Sequence, residues 1–239
     1  MIRPVSKVLL LDMDGVVLHQ PDLHRFVARR VCSFVRRSLD PKMPGLSFAQ
    51  AESINKSLYT TYGHTLTGLN EMFKIDKTID DFNSYVYDSS AMNYITNLLD
   101  SKDMNARANE VRNLLEMCAK SNMPVYIFSN APIKWSEMVT STLGLSIDSD
   151  KVLGSDHPVF EKNDHLKPHK ILYNDVRRLI NHRYKIGQEI VFVDDSLQNL
   201  IPCVQMEHWT PVLLLPGVSP LYTEPIKVCS SIQDIMNLM

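Results

Sequence analysis

The sequence predicts an α/β protein whose core is a doubly wound parallel sheet, interrupted early by a long helical insertion. Three observations predict it. Apolar runs of four or five residues recur along the chain, and most end in a polar cluster, as strands buried on both faces of a parallel sheet do. Segments with apolar residues at helical spacing separate the later runs, and alternating strands and helices wind into such a sheet. Between the first and second runs lie roughly a hundred residues, about 19–120, with helical patterns and no convincing strand.

Taken in order, the first strand covers 8–11 and delivers Asp12-Met13-Asp14-Gly15 to a loop. The insertion opens with a helix carrying Leu23, Phe26, Val27, Val31, Phe34 and Val35 on one face. Ser47-Phe48-Ala49-Gln50 and Thr78-Ile79-Asp80-Asp81 read as capping-box starts of later helices, and 108–118 rejoins the core. The expected division is therefore a core formed by 1–18 and 108–239 and a helical cap over 19–107. The second strand, 124–128, stops at Ser129. A helix through Trp135, Met138, Val139 and Leu143 ends at Gly144, and another runs through Ile171, Leu172, Val176, Leu179 and Ile180. Strands at 190–193, before Asp194, and at 211–215 complete the sheet.

Composition narrows the function classes. The chain has 239 residues, enough to bury a core without disulfides, and 44% hydrophobic with 22% charged residues is ordinary for a globular protein. A net charge of −2 provides no field to draw the chain onto a nucleic acid polymer or an anionic membrane, so neither is expected as a partner. A small anionic substrate has to be held by local groups. Cys32, Cys118, Cys203 and Cys229 form no CxxC pair and read as reduced, buried thiols, which fits the cytoplasm. The run at 8–11 is too short for a signal-peptide core and no later stretch approaches a membrane span, so a soluble, unprocessed protein is expected. There is neither GxxxxGK[ST] nor GxGxxG, which disfavours ATPases and dinucleotide enzymes.

In open α/β sheets ligands collect at the carboxyl ends of the strands, and four polar clusters stand there. Asp12 and Asp14 are spaced so that one carboxylate can attack while the other handles the proton, with Gly15 allowing a tight turn. Ser129 and Asn130 offer a hydroxyl, an amide and backbone N–H groups to phosphate oxygens. Lys167, before Pro168 and a helix, supplies a point charge. Asp194 and Asp195, followed by Ser196 and Asn199, repel each other unless a hard cation such as Mg²⁺ compensates them. Each cluster alone has a bland reading as a turn, a cap or solvated surface; their order along the chain favours the chemical one. Arg25, Arg29, Arg30, Arg36 and Arg37 read as a solvated helix face. His157, His165, His169 and His182 lack zinc-ligand spacing and read as surface or packing residues.

Asp12-Met13-Asp14-Gly15-Val16, Ser129, Lys167-Pro168 and Asp194-Asp195, in that order, resemble the four motifs of the haloacid dehalogenase-like (HAD) hydrolases. The resemblance implies a Rossmann-like core with a C1-type cap. It makes Asp12 the nucleophile and Asp14 the acid/base, with Ser129 and Lys167 binding phosphate. Asp12, the Asp14 carbonyl and Asp194 then bind Mg²⁺, with Asp195 supporting those ligands from behind or acting through water. Tyr59-Thr60-Thr61-Tyr62-Gly63, followed by Gly68-Leu69, is similar to a stretch of the pyrimidine 5′-nucleotidase-like branch, which implies that Tyr59 and Tyr62 bind substrate; packing within the cap is the other reading. Ser129 departs from the Thr common in that branch, and 100–109 lacks its Lys-Pro-Asp-like run. The expected activity is Mg²⁺-dependent hydrolysis of a small phosphomonoester, a pyrimidine nucleoside 5′-monophosphate or alternatively a sugar phosphate or other metabolite. Receiver domains carry their acidic pair first and lack the insertion, dehalogenases lack the equivalent of Asp14, and a non-catalytic scaffold predicts a missing motif residue.

Overall fold

In the computed structural model, which describes residues 5–98, 102–161, 166–185, 187–221 and 225–238, the first apolar run forms β1 (Lys7–Leu11), four of its five residues buried. The chain divides into two compact units, one combining Met1–His19 with Leu99–Met239 and the other spanning Gln20–Leu98.

The second unit is helical: α1 (Pro21–Leu39), α2 (Phe48–Tyr62), α3 (Thr65–Phe73), α4 (Ile79–Val86) and α5 (Ser89–Leu98). The Gln20 side chain accepts the Asp22 and Leu23 N–H groups at the start of α1, and α2 and α4 open with the Ser47/Gln50 and Thr78/Asp81 capping boxes. Phe34, Val35, Leu39, Leu58, Leu69, Phe82 and Val86 form its core. The arginines of α1 are not uniformly solvated. Arg30 donates from Nε to the Val86 carbonyl at 2.7 Å and pairs with Asp88 at 2.6 Å, and Arg36 donates to the Leu46 carbonyl at 2.9 Å, so these two tie the helix to other segments of the unit.

Beyond the insertion come α6 (Lys102–Lys120), β2 (Val125–Phe128), α7 (Ile133–Thr142), β3 (Val152–Leu153), α8 (Pro158–Glu161), α9 (Lys170–Tyr184), β4 (Glu189–Asp194), α10 (Leu197–Leu200), β5 (Trp209–Leu214), β6 (Lys227–Cys229) and α11 (Ile232–Met236). The expected boundary at 107/108 falls inside α6, which lies wholly in the first unit because the helix is continuous there. Among the described residues the sheet has six strands, all parallel, in the order β3-β2-β1-β4-β5-β6. β3 and β6 were not read from the sequence, being two and three residues long. Pro168 lies ahead of α9 and not in its first turn: the Lys167–Pro168 bond is cis, and His169 is the N-cap, its Nδ1 accepting the Ile171 N–H. The four cysteines are buried and none is in a disulfide. No described helix is long and apolar enough to cross a membrane.

Candidate active site

The register of the sheet gathers the motif residues. β1 lies between β2 and β4, with Leu11 opposite both Ile127 and Val193. The residues that follow therefore emerge along one edge: Asp12 after β1, Ser129 after β2, and Asp194 at the end of β4. The Asp12 N–H closes the row by donating to the Val193 carbonyl at 2.9 Å. From β1 the chain builds β2 and β3 on one side and returns to add β4 and β5 on the other, which is the switch point where α/β sheets open a ligand crevice.

Lys167 is the hub. Its side chain is buried, and Nζ donates to Asp194 Oδ2 at 2.7 Å, to the Phe128 carbonyl at 2.9 Å and lies 2.9 Å from Asp12 Oδ1, which occupies all three ammonium protons. Burial alone would depress its pKa, but the charges of Asp12 and Asp194 hold the ammonium above its ordinary value. Asp194, fully buried, also accepts the Ser196 N–H at 2.8 Å and the Asn199 amide at 3.0 and 3.1 Å, so its carboxylate is fixed on several sides. Asp12 Oδ1 accepts the Met13 N–H at 2.8 Å as well as facing Lys167, which leaves Oδ2 without a donor among the described residues.

Positive charge is in deficit here. One ammonium faces Asp12, Asp194, Asp195 and the nearby Asp14. Burial first, then the charge of Asp194, raises the Asp12 carboxyl well above the carboxylate range despite the ion pair. The Asp195 side chain reaches solvent, yet the protein packed around its carboxyl and the charge of Asp194 push its pKa up to about 6. Ligand oxygens of Asp12, Asp194 and Asp195 lie within 4.8 Å of one another. Clustered hard oxygens with uncompensated charge fit a hard divalent cation. The Asp195 carboxylate thus belongs to the same cluster as those of Asp12 and Asp194. The Asp14 carboxylate is not in this group; it accepts the indole N–H of Trp135 at 3.3 Å. Gly15 (φ 91°) lies so close to Asp195 that a Cβ would fall 2.0 Å from its Oδ2, so only glycine fits.

Ser129 is buried; its N–H is spent on the Leu153 carbonyl, and its Oγ accepts the Ala131 N–H at 3.1 Å. The hydroxyl proton of Ser129 and the backbone N–H of Asn130 have no acceptor among the described residues. Asn130 differs from expectation in its side chain: Nδ2 donates to the Lys167 carbonyl at 3.0 Å and Oδ1 accepts the Lys167 N–H at 2.8 Å. The amide thus fastens the loop bearing Lys167. Tyr59 and Tyr62 belong to the second unit. There Tyr59 is exposed, whereas Tyr62 packs on the unit's core. The glycines of that stretch have packing reasons: Gly63 caps α2 in the left-handed region (φ 74°), and a Cβ on Gly68 would lie 2.8–2.9 Å from Leu58 and Tyr62 atoms. Sequence reasoning missed Trp135, taken as a core position, and the clamp formed by Asn130. His165 lies outside the described residues.

No family model matches the sequence, and no curated protein matches it. Solved structures do. A Bacillus subtilis protein described as a HAD-hydrolase, bound to magnesium, aligns over 98% of each chain with a TM-score of 0.55 and 16% identity. This is the fold of the haloacid dehalogenase-like hydrolases. A HAD phosphatase from Thermococcus onnurineus (TM-score 0.52, 17% identity, 98% of this chain and 97% of that one) and a dehalogenase with an intermediate complex (TM-score 0.53, 14% identity, 100% and 99%) share it. At such identities the HAD likeness is one of topology, and it serves phosphatases and dehalogenases alike. Chemistry on such a fold resides in the side chains of the site and not in the topology.

Proposed function

We propose that this chain is a HAD-type phosphomonoester hydrolase working through an aspartyl phosphate on Asp12. The observation that carries the proposal is the convergence of Asp12, Asp194 and Asp195 around buried Lys167, with Asp14 two residues from Asp12. Asp12 Oδ2, the oxygen without a donor, is the attacking atom. Lys167 lowers the negative charge that an anionic ester meets on approach, while the Ser129 hydroxyl and the Asn130 N–H donate to phosphoryl oxygens. Asp14 protonates the leaving alkoxide and then takes a proton from the water that cleaves the acyl phosphate. Asp12, Asp194 and Asp195 would hold Mg²⁺, which when bound neutralises the carboxylates and polarises the phosphoryl oxygens. Asp14 also favours esters over haloacids, since displacement of a halide needs no leaving-group proton.

For the substrate we propose a pyrimidine nucleoside 5′-monophosphate, on the strength of the Tyr59–Leu69 stretch, with the second unit selecting it. Tyr59, exposed in that unit, and Tyr62, packed on its core, are the proposed substrate contacts. A sugar phosphate is the second reading, supported by the absence of the 100–109 signature of that branch. The test is phosphate release with Mg²⁺ across nucleoside monophosphates and sugar phosphates. Activity is expected to vanish with Asp12→Asn and with EDTA, and the ranking of esters decides between the two substrates. Release that survives EDTA, or no release from any ester, would remove the proposal.

A further inference from the structure

Trp135 is fully buried on α7, and its indole N–H donates to Asp14 Oδ1 at 3.3 Å, across 121 positions of sequence. A buried indole N–H usually finds a hydrogen-bond partner. Here a carboxylate of the candidate site is a partner. The other tryptophan, Trp209, leaves its buried Nε1 without a partner among the described residues, so the fold does not require every indole to be bonded.

The start of α7 is held by contacts from outside the helix. Pro132 is an N-cap with no side-chain cap bond, and the work is done instead by the segment after β3. Asp156 Oδ1 accepts the Ile133 N–H at 2.7 Å, and the Ser155 N–H donates to the Ala131 carbonyl at 2.9 Å. Gly154 lies so near that a Cβ would fall 2.4 Å from Ile133 N and 2.8 Å from the Ala131 oxygen. Trp135 sits two residues beyond that anchor, in the first turn of α7, with its side chain fully buried.

We propose that Trp135 is a positioning residue for Asp14, holding the carboxyl in the rotamer from which it gives its proton to the leaving oxygen. The inference rests on the reading of the site as a phosphomonoesterase. An indole donor on Oδ1 of Asp14 restricts rotation of the carboxyl and so sets the direction in which it presents its proton. The Gly154–Asp156 segment, which holds the start of α7, is then the support of an acid/base arm. In the transfer step the bond from phosphorus to the leaving oxygen breaks, the Asp12–phosphorus bond forms, and the Asp14 proton moves to the leaving oxygen.

The test compares single-turnover release of the leaving alcohol from an alkyl phosphate, which needs the proton, with release of p-nitrophenol from p-nitrophenyl phosphate, which needs it far less. Trp135→Phe removes the N–H. The alkyl ester is expected to slow roughly 10- to 100-fold with KM within about twofold, while the aryl ester changes less than about threefold. Replacement of Trp135 by 3-benzothienylalanine, which keeps the ring shape without a donor, serves if the Phe variant packs poorly and should give the same split. In an Asp14→Asn background the Trp135 change is expected to have almost no further effect on the alkyl ester. Equal losses for both esters, an unchanged alkyl rate, or full additivity with Asp14→Asn would overturn the inference. A wild-type protein that hydrolyses neither ester would instead overturn the phosphatase reading.

Discussion

Asp195 shows how single residues at this site trade stability for a latent binding capacity. Its carboxyl titrates near 6 in the folded chain, above the ordinary Asp range near 3.9. Between those values the folded state binds the proton that the unfolded state has released, so stability conferred by protonation is present at low pH and lost as pH rises through about 6. A bound divalent cation reverses this by favouring the ionised form. Melting followed by calorimetry should therefore give a larger Mg²⁺-induced rise at pH 7.5 than at pH 5, and Asp195→Asn should raise the metal-free melting temperature at pH 7.5 while shrinking the Mg²⁺ effect. A Mg²⁺ effect independent of pH would contradict the assignment of Asp195 to the cation. The motif carboxylates and Lys167 were legible because each directly follows an apolar run or precedes a helix. Trp135 and Asn130 were not, because their partners are distant in sequence: a tryptophan at helical spacing reads as core, and an amide after a strand reads as a turn.

At the scale of elements, long apolar runs were legible and short ones were not. β1, β2, β4 and β5 carry enough consecutive Val, Ile, Leu and Phe to be read directly, although β5 begins at Trp209, before Pro211. β3 and β6 acquire strand geometry from neighbours already paired, a tertiary effect that no local pattern announces. The two capping boxes of the insertion were readable because their side-chain and backbone partners are three residues apart. The Tyr59–Leu69 stretch is where likeness and packing compete, and the glycines separate them. Gly68→Ala would press a methyl into Leu58 and Tyr62 and should destabilise the second unit by about 1–3 kcal/mol in denaturant melts, whatever the substrate is. A neutral Gly68→Ala would show that α2 and α3 are not packed as described.

For the molecule as a whole, sheet order places the two halves of the chemistry on opposite sides of one strand. β1 brings Asp12, the proposed nucleophile, and Asp14, β2 on one flank brings Ser129, and β4 on the other brings Asp194 and Asp195, with Lys167 bridging all three strands through Asp12, the Phe128 carbonyl and Asp194. A one-residue slip of β1 against either neighbour would move the side chain of Asp12 to the opposite face of the sheet, so the apolar pattern that sets the register also sets the site. The same architecture carries dehalogenases and phosphatases, and the proposed phosphatase chemistry begins with a covalent step at one atom of Asp12. The most direct measurement is to quench the wild-type protein with acid during turnover of its best phosphomonoester with Mg²⁺, reduce with borohydride, and map the product by mass spectrometry. Homoserine at position 12, absent from Asp12→Asn and from EDTA-treated protein, is the predicted result. Phosphate release without any modification at Asp12, or modification at another residue, would contradict it.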